Sequence, residues 1–273
     1  MNIIFDRECL NYKERGHPES PERVKAAYDF LKQHFTILAP EPVTEEDLRL
    51  VHSARHIDKV KTGNFFDFDS PTYENIFHYA SLSAGAAVKA REVQGFSIMR
   101  PPGHHSGKNY LGGFCYFNNL AVAVKKSGLK TLIVDFDAHH GNGTEDIFLG
   151  DPQVVYISLH RSGIFPGTGH GSRQNIFNFP LTRNTGDEKY LETLTSALQG
   201  VGDMEFEQLA VSAGFDGYSR DPLASLSLST EVYGEIGRIL GGLNLPTFSV
   251  LEGGYVVSDL GPNILSYLNG LKK

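Results

Sequence analysis

Cysteine is scarce in this chain: Cys9 and Cys115 are the only two among 273 residues, and neither belongs to a C-x-x-C pair. A disulfide framework is therefore excluded as the basis of the fold, and the usage suits a reducing compartment. Long apolar runs are lacking as well. Stretches such as Leu120–Val124 fall far short of the ~18 residues that a membrane-spanning helix needs. The opening residues Met1-Asn2-Ile3-Ile4-Phe5-Asp6 carry neither the basic stretch nor the apolar core of a secretory signal, which sets a cytoplasmic expectation. No block of five or six like charges interrupts the chain, and the net charge of −7 comes without a basic stripe. Neither nucleic acid nor a membrane is an expected partner. Repeats, low-complexity tracts and linkers are absent too, so residues 1–273 read as one domain.

What is present is an ordinary globular composition, 40% hydrophobic and 21% charged. The length accommodates a parallel α/β fold with a large core as a single unit. Short β-branched runs predict strands at Asn2–Phe5, Phe96–Met99, Thr131–Asp135, Val154–Ser158, Gln208–Ser212 and Thr247–Leu251. Between them, helical periodicity predicts helices over Pro21–His34, Tyr73–Arg91, Phe117–Lys126, Glu188–Val201 and Thr230–Leu243. Ser20-Pro21 reads as an N-cap followed by proline at the first helical position, and Thr44 precedes the acidic Glu45-Glu46-Asp47. Several strands are apolar almost throughout, as strands covered on both faces are. The alternation predicts a mostly parallel sheet flanked by helices with right-handed crossovers.

Polar clusters follow the predicted strands: Arg100–Ser106, Asp135–Asn142, His160–Gly169, Gly214–Asp221 and Glu252–Tyr255. Ligands of open parallel sheets bind at the carboxyl ends of the strands, so the five clusters are expected on one rim. In Asp135-Phe136-Asp137-Ala138-His139-His140-Gly141-Asn142, the residues Asp137 and His139 stand at i and i+2 and share one face of extended backbone. A carboxylate and an imidazole so placed make half of a catalytic zinc site, which takes three protein ligands and keeps one position open. Asp216, in Gly214-Phe215-Asp216 after a second buried run, supplies the third. The alternative, helix caps plus a satisfied histidine, accounts for either aspartate alone better than for the whole set. The pair His104-His105 in Arg100-Pro101-Pro102-Gly103-His104-His105-Ser106 could be ligands, acid–base groups or loop residues.

Taken together, these strings resemble the zinc-dependent histone deacetylase superfamily, which includes acetylpolyamine amidohydrolases and acetoin-utilisation proteins. The resemblance runs from His17-Pro18-Glu19-Ser20-Pro21-Glu22-Arg23 to Leu251-Glu252-Gly253-Gly254-Tyr255. It implies the arginase–deacetylase fold, with an eight-stranded sheet, and a stand-alone prokaryotic enzyme. It also implies Zn²⁺ on Asp137, His139 and Asp216, where Fe²⁺ could serve as well. By the same resemblance His104 and His105 are the tandem imidazoles beside the metal-bound water, backed by Asp135 and Asn142 respectively, and Tyr255 is the phenol facing them. Asn142, Thr144 and the Leu-Glu-Gly-Gly-Tyr string are similar to the class II branch. An inner potassium site is implied at Asp135, Asp137, His139, Ser158 and Leu159, and an outer one at Phe148, Asp151 and Val154.

The resemblance further implies an acyl-lysine tunnel with Phe114 and Phe165 as walls beside Gly113. The bland alternative makes both rings ordinary core. Asp69 matches a rim aspartate that grips substrate backbone amides, although it could instead cap the helix after Ser70-Pro71. Leu223, in Asp221-Pro222-Leu223, stands where one polyamine-selective branch has glutamate. The implied reaction is hydrolysis of an acyl amide, with an acylated lysine in a peptide or protein as the expected substrate. A small acetylated amine such as an acetylpolyamine is the second reading. A catalytically dead binding module would lack a ligand or the tyrosine, and neither is missing.

Overall fold

The computed structural model describes residues 1–272. Its strands in chain order are β1 (Asn2–Ile4), β2 (Thr36–Leu38), β3 (Phe96–Ser97), β4 (Thr131–Asp135), β5 (Val154–Arg161), β6 (Ile176–Leu181), β7 (Gln208–Ala213) and β8 (Thr247–Leu251). The helices are α1 (Pro21–Leu31), α2 (Glu45–Leu48), α3 (Ala54–Thr62), α4 (Ile76–Val93), α5 (Asn119–Ser127), α6 (Asn142–Phe148), α7 (Gly186–Gln199), α8 (Thr230–Gly241) and α9 (Val257–Leu271). All eight strands form one parallel sheet in the order β2-β1-β3-β8-β7-β4-β5-β6. Every residue of β4, β7 and β8 is buried, which in a pleated strand requires cover on both faces. Helices α4 and α5 pack together, while α8 pairs with α9 and α9 with α1. No helix among the described residues is long and apolar enough to cross a membrane.

All six predicted strands are present. The two that sequence reading lacks are β2 and β6, the two edges of the sheet. Strand β2 has three residues, none fully buried, and β6 contains Pro180, which an edge strand tolerates because one row of its backbone groups needs no partner. The five predicted helices also form, with ends displaced by up to three residues. Thr44 closes a capping box on α2, its hydroxyl accepting from the Asp47 N–H while the Asp47 carboxylate accepts from the Thr44 N–H. Helices α3 and α6 are short, and α9 carries Gly261-Pro262, a pair that reads as a break. Pro262 is the sixth residue of α9 and leaves the Ser258 carbonyl without its helical N–H, and the buried face through Leu260, Ile264, Tyr267 and Leu268 holds the helix across that gap.

The sheet order has a functional consequence. The five polar clusters follow β3, β8, β7, β4 and β5, which are consecutive neighbours in the sheet. They therefore meet at one edge of the fold, at the carboxyl ends of the strands, as the sequence pattern predicts.

Candidate active site

From the end of β4 the chain continues through Asp137 to His139, while β7 leads through Gly214 to Asp216. Gly214 and Gly253 permit the approach of these loops. A Cβ on Gly253 would lie 2.6 Å from Asp137 Oδ2 and 2.7 Å from Asp216 Oδ2, and one on Gly214 would overlap the Asp137 carboxylate. Asp137, His139 and Asp216 each offer a ligand atom within 4.8 Å of the others. His139 Nδ1 stands 3.2 Å from Asp137 Oδ1 and 2.6 Å from Asp216 Oδ2. The remaining oxygens are engaged: Asp137 Oδ2 accepts from Gly253 N at 2.7 Å and Asp216 Oδ1 from Ala138 N at 2.8 Å. Asp216 Oδ2, by contrast, is buried and accepts no well-aligned hydrogen bond. Burial and the neighbouring Asp137 charge push the Asp216 carboxyl upward. Burial works against a charge on His139 too, yet the two carboxylates raise it to about 10. Two buried carboxylates, one with an orphaned oxygen, and one imidazole nitrogen are a donor set that fits a divalent cation.

Beyond β3, the N–H groups of Gly103 and His104 donate to Glu252 Oε2 at 2.8 and 3.1 Å. This fixes the loop that presents His104 and His105, whose rings lie 4.0 Å apart. Their partners differ in charge. His104 Nδ1 meets Asp135 Oδ2 at 3.0 Å, and the same oxygen accepts from the Tyr156 hydroxyl at 2.9 Å. Burial disfavours a charged His104, but Asp135, Asp137 and Glu252 overcome it and raise the imidazole to about 10. His105 Nδ1 meets Asn142 Oδ1 at 2.8 Å. Burial, with the positive charges of His104 and His139, holds His105 well below the ordinary histidine range. An amide oxygen can only accept, so the His105 proton resides on Nδ1 and Nε2 is left as a basic lone pair. The Asn142 amide is oriented by Tyr110, whose hydroxyl lies 3.3 Å from Asn142 Nδ2 and donates to Asn142 O at 3.0 Å.

Tyr255 follows Gly253-Gly254 and is held at its N–H by Asp221 Oδ2 at 2.8 Å. Arg23 lies 4.6 Å over its ring and donates to Gly254 O and Glu252 O at 2.6 and 2.8 Å. A cavity of about 240 Å³ descends to these groups. Phe165 meets His105 edge-on at 5.0 Å and Phe114 meets Tyr255 at 6.0 Å, so the rings line opposite sides of the slot. Phe165 is 46% exposed, which removes the core alternative for it. Gly113 serves as a spacer at φ +56°: a Cβ there would lie 2.5 Å from the His105 ring and 2.8 Å from Phe165. Asp69 and Leu223 stand at the mouth. Asp69 is not a helix cap, because α4 starts at Ile76 with Asn75 as its N-cap residue.

The lining also includes Pro102, Ile164 and Gly253, which sequence reading did not single out for the pocket. Four supporting residues were missed as well. Glu252, Arg23 and Asp221 lay inside strings that carried other signals, and Tyr156 sits within an apolar strand that gives no hint of its hydroxyl. Asp135 and Ser158, expected at an inner cation site, are direct partners across β4 and β5. Phe148, Asp151 and Val154 are the residues expected at an outer cation site. The carbonyls of Phe148, Asp151 and Val154 do converge, but they converge on the side-chain nitrogen of Asn175.

Fold and site together define a hydrolase of the deacetylase class, an α/β enzyme with its chemistry at the strand ends. The histone deacetylase domain model matches residues 17–271, and the chain belongs to that family. A protein described as a probable deacetylase from Archaeoglobus fulgidus is 34% identical, over 95% of this chain and 82% of its own length. Acetylpolyamine amidohydrolase 2 of Pseudomonas aeruginosa is 33% identical, over 76% of this chain and 66% of its own. Among solved structures, the HDA15 HD domain superposes with a TM-score of 0.92 at 30% identity, covering 98% of this chain and 87% of that one.

Proposed function

We propose that this deacetylase hydrolyses the amide of N-acyl-lysine side chains in peptides or proteins, and that His105 is its general base. The observation that carries the reaction is the unequal backing of the two imidazoles, a carboxylate behind His104 and an amide behind His105. A divalent ion on Asp137, His139 and Asp216, with Zn²⁺ and Fe²⁺ both suited to these donors, would polarise the acyl carbonyl and acidify a water. His105 accepts the water proton at Nε2 and returns it to the departing amine. His104 keeps its proton and faces the reacting centre as a fixed positive charge. The Tyr255 hydroxyl donates to the acyl oxygen as negative charge develops there. The Phe114 and Phe165 rings clasp the alkyl chain and exclude water from it. Asp135, Asp137, His139, Ser158 and Leu159 would hold a K⁺ beside the ligand carboxylates, mostly through backbone oxygens, and so temper their charge.

Two residues at the mouth favour a lysine side chain over a free polyamine. Asp69 is exposed where a peptide backbone would pass, and Leu223 offers no charge to a distal ammonium. The buried free thiols Cys9 and Cys115 suit a reducing, cytoplasmic setting. The substrate choice is tested by comparing kcat/KM on an acetyl-lysine peptide and on N-acetylputrescine. Equal or better turnover of the peptide supports it. A polyamine preference above about 100-fold, roughly 2.7 kcal/mol of transition-state discrimination, contradicts it.

A further inference from the structure

Resemblance to the family leads one to expect a monovalent cation among the carbonyls of Phe148, Asp151 and Val154, in the turn between α6 and β5. Such an ion is bound by exchanging its water for a ring of carbonyl dipoles. Here the three oxygens already share a donor. Asn175 Nδ2 lies 2.8 Å from Phe148 O, 3.3 Å from Asp151 O and 2.9 Å from Val154 O. The identity of that atom as nitrogen follows from the other end of the amide, because Asn175 Oδ1 accepts from the Gly150 N–H at 2.8 Å. We propose that the Asn175 amide takes the place of the outer cation in this protein and joins the α6–β5 turn to β6 without an ion.

Three further observations support the substitution. A carbonyl oxygen has two lone pairs. Phe148 O also accepts from Asp151 N at 2.9 Å, so both of its lone pairs are used, and Asp151 O accepts from Val154 N at 3.3 Å. The charge of the turn is balanced without an ion as well: Lys125 Nζ donates to Asp151 Oδ2 at 2.5 Å and lies 5.6 Å from the Phe148 ring centre. Asn175 itself is set by the fold, since it immediately precedes β6 and its carbonyl accepts from Tyr156 N in β5 at 3.0 Å. The amide nitrogen and a cation cannot both occupy the point where three oxygens meet. The inner set at Asp135 and Ser158 is untouched by this exchange. The inference holds whatever substrate the enzyme prefers.

The test uses Rb⁺, which is visible by anomalous scattering, on crystals of the whole protein, together with melting of the wild type and Asn175→Asp in RbCl and in tetramethylammonium chloride of equal ionic strength. The wild type is expected to show no Rb⁺ peak among the three carbonyls. Asn175→Asp keeps the shape but sets a carboxylate against carbonyl oxygens. It is expected to melt below the wild type by roughly 3–8 °C without Rb⁺, and to recover at least half of that gap with it. Reading the gap to the wild type in each salt removes any contribution of the inner site. If Asn175→Asp fails to fold, Asn175→Ala takes its place and is expected to admit a Rb⁺ peak. A Rb⁺ peak at these carbonyls in the wild type overturns the proposal, and so does a gap that Rb⁺ leaves unchanged.

Discussion

His105 Nδ1 and Asn142 Oδ1 are joined at 2.8 Å, so the imidazole with the basic Nε2 is backed by a group that brings no negative charge. Its neighbour His104 has Asp135 in the equivalent position at 3.0 Å. Burial and two nearby positive imidazoles keep His105 neutral through the physiological range, whereas three carboxylates keep His104 charged up to about 10. A divalent ion nearby would lower both, but the difference in backing, and hence the order, would remain.

The sign of one substitution follows. Asn142→Asp sets a carboxylate against His105 Nδ1 and stabilises the protonated ring, which cannot accept a proton. The acid limb of kcat/KM is expected to move to higher pH by about one unit or more, with the loss of activity greatest at low pH. A pH–rate profile from pH 5 to 9 checks this, and an unmoved acid limb would remove His105 from the role of base.

Tyr255→Phe deletes the hydroxyl proposed to meet the oxyanion while leaving the ring in place beneath Arg23 and across from Phe114. The expected effect is a fall in kcat on the order of 10²–10³ with little change in KM. Steady-state kinetics at saturating substrate decide it, and wild-type turnover would refute the assignment.

Gly113→Ala probes the spacing of the slot. The new methyl would press on His105 and Phe165 at a residue whose φ is +56°. Displacement of the base by a fraction of an ångström to an ångström is expected to lower kcat/KM by about 10²-fold. Thermal melting of the same variant separates this from unfolding. Full activity would mean that the loop yields and that the ring spacing is not critical.

Much of this site was legible because its signals are local. Asp137 and His139 at i and i+2 share a face in extended backbone, and clusters that end buried strands must gather wherever those strands are adjacent. The sheet interior was legible for the same reason, since its strands are apolar on both faces. Edges were not: β6 carries Pro180 and the polar Asn178, and none of the three residues of β2 is fully buried. Helix α9 was hidden by Gly261-Pro262, a local break signal that burial of the helix's apolar face overrides. Asp69 was ambiguous between rim and cap until the start of α4 was known. Asn175 gave no signal at all, because its partners are backbone oxygens more than twenty residues away and any sequence supplies those.

The central claim is that Asp137, His139 and Asp216 hold one catalytic divalent ion. Its most direct test measures acetate release from an acetyl-lysine peptide and metal content in the same samples of wild-type and Asp216→Asn protein, before and after chelation. The expected result is one divalent ion per wild-type chain, with activity lost on chelation and restored by readded metal. The variant should retain less than about a tenth of both, since it loses one of three protein ligands. Undiminished turnover after complete removal of divalent metal would contradict the account.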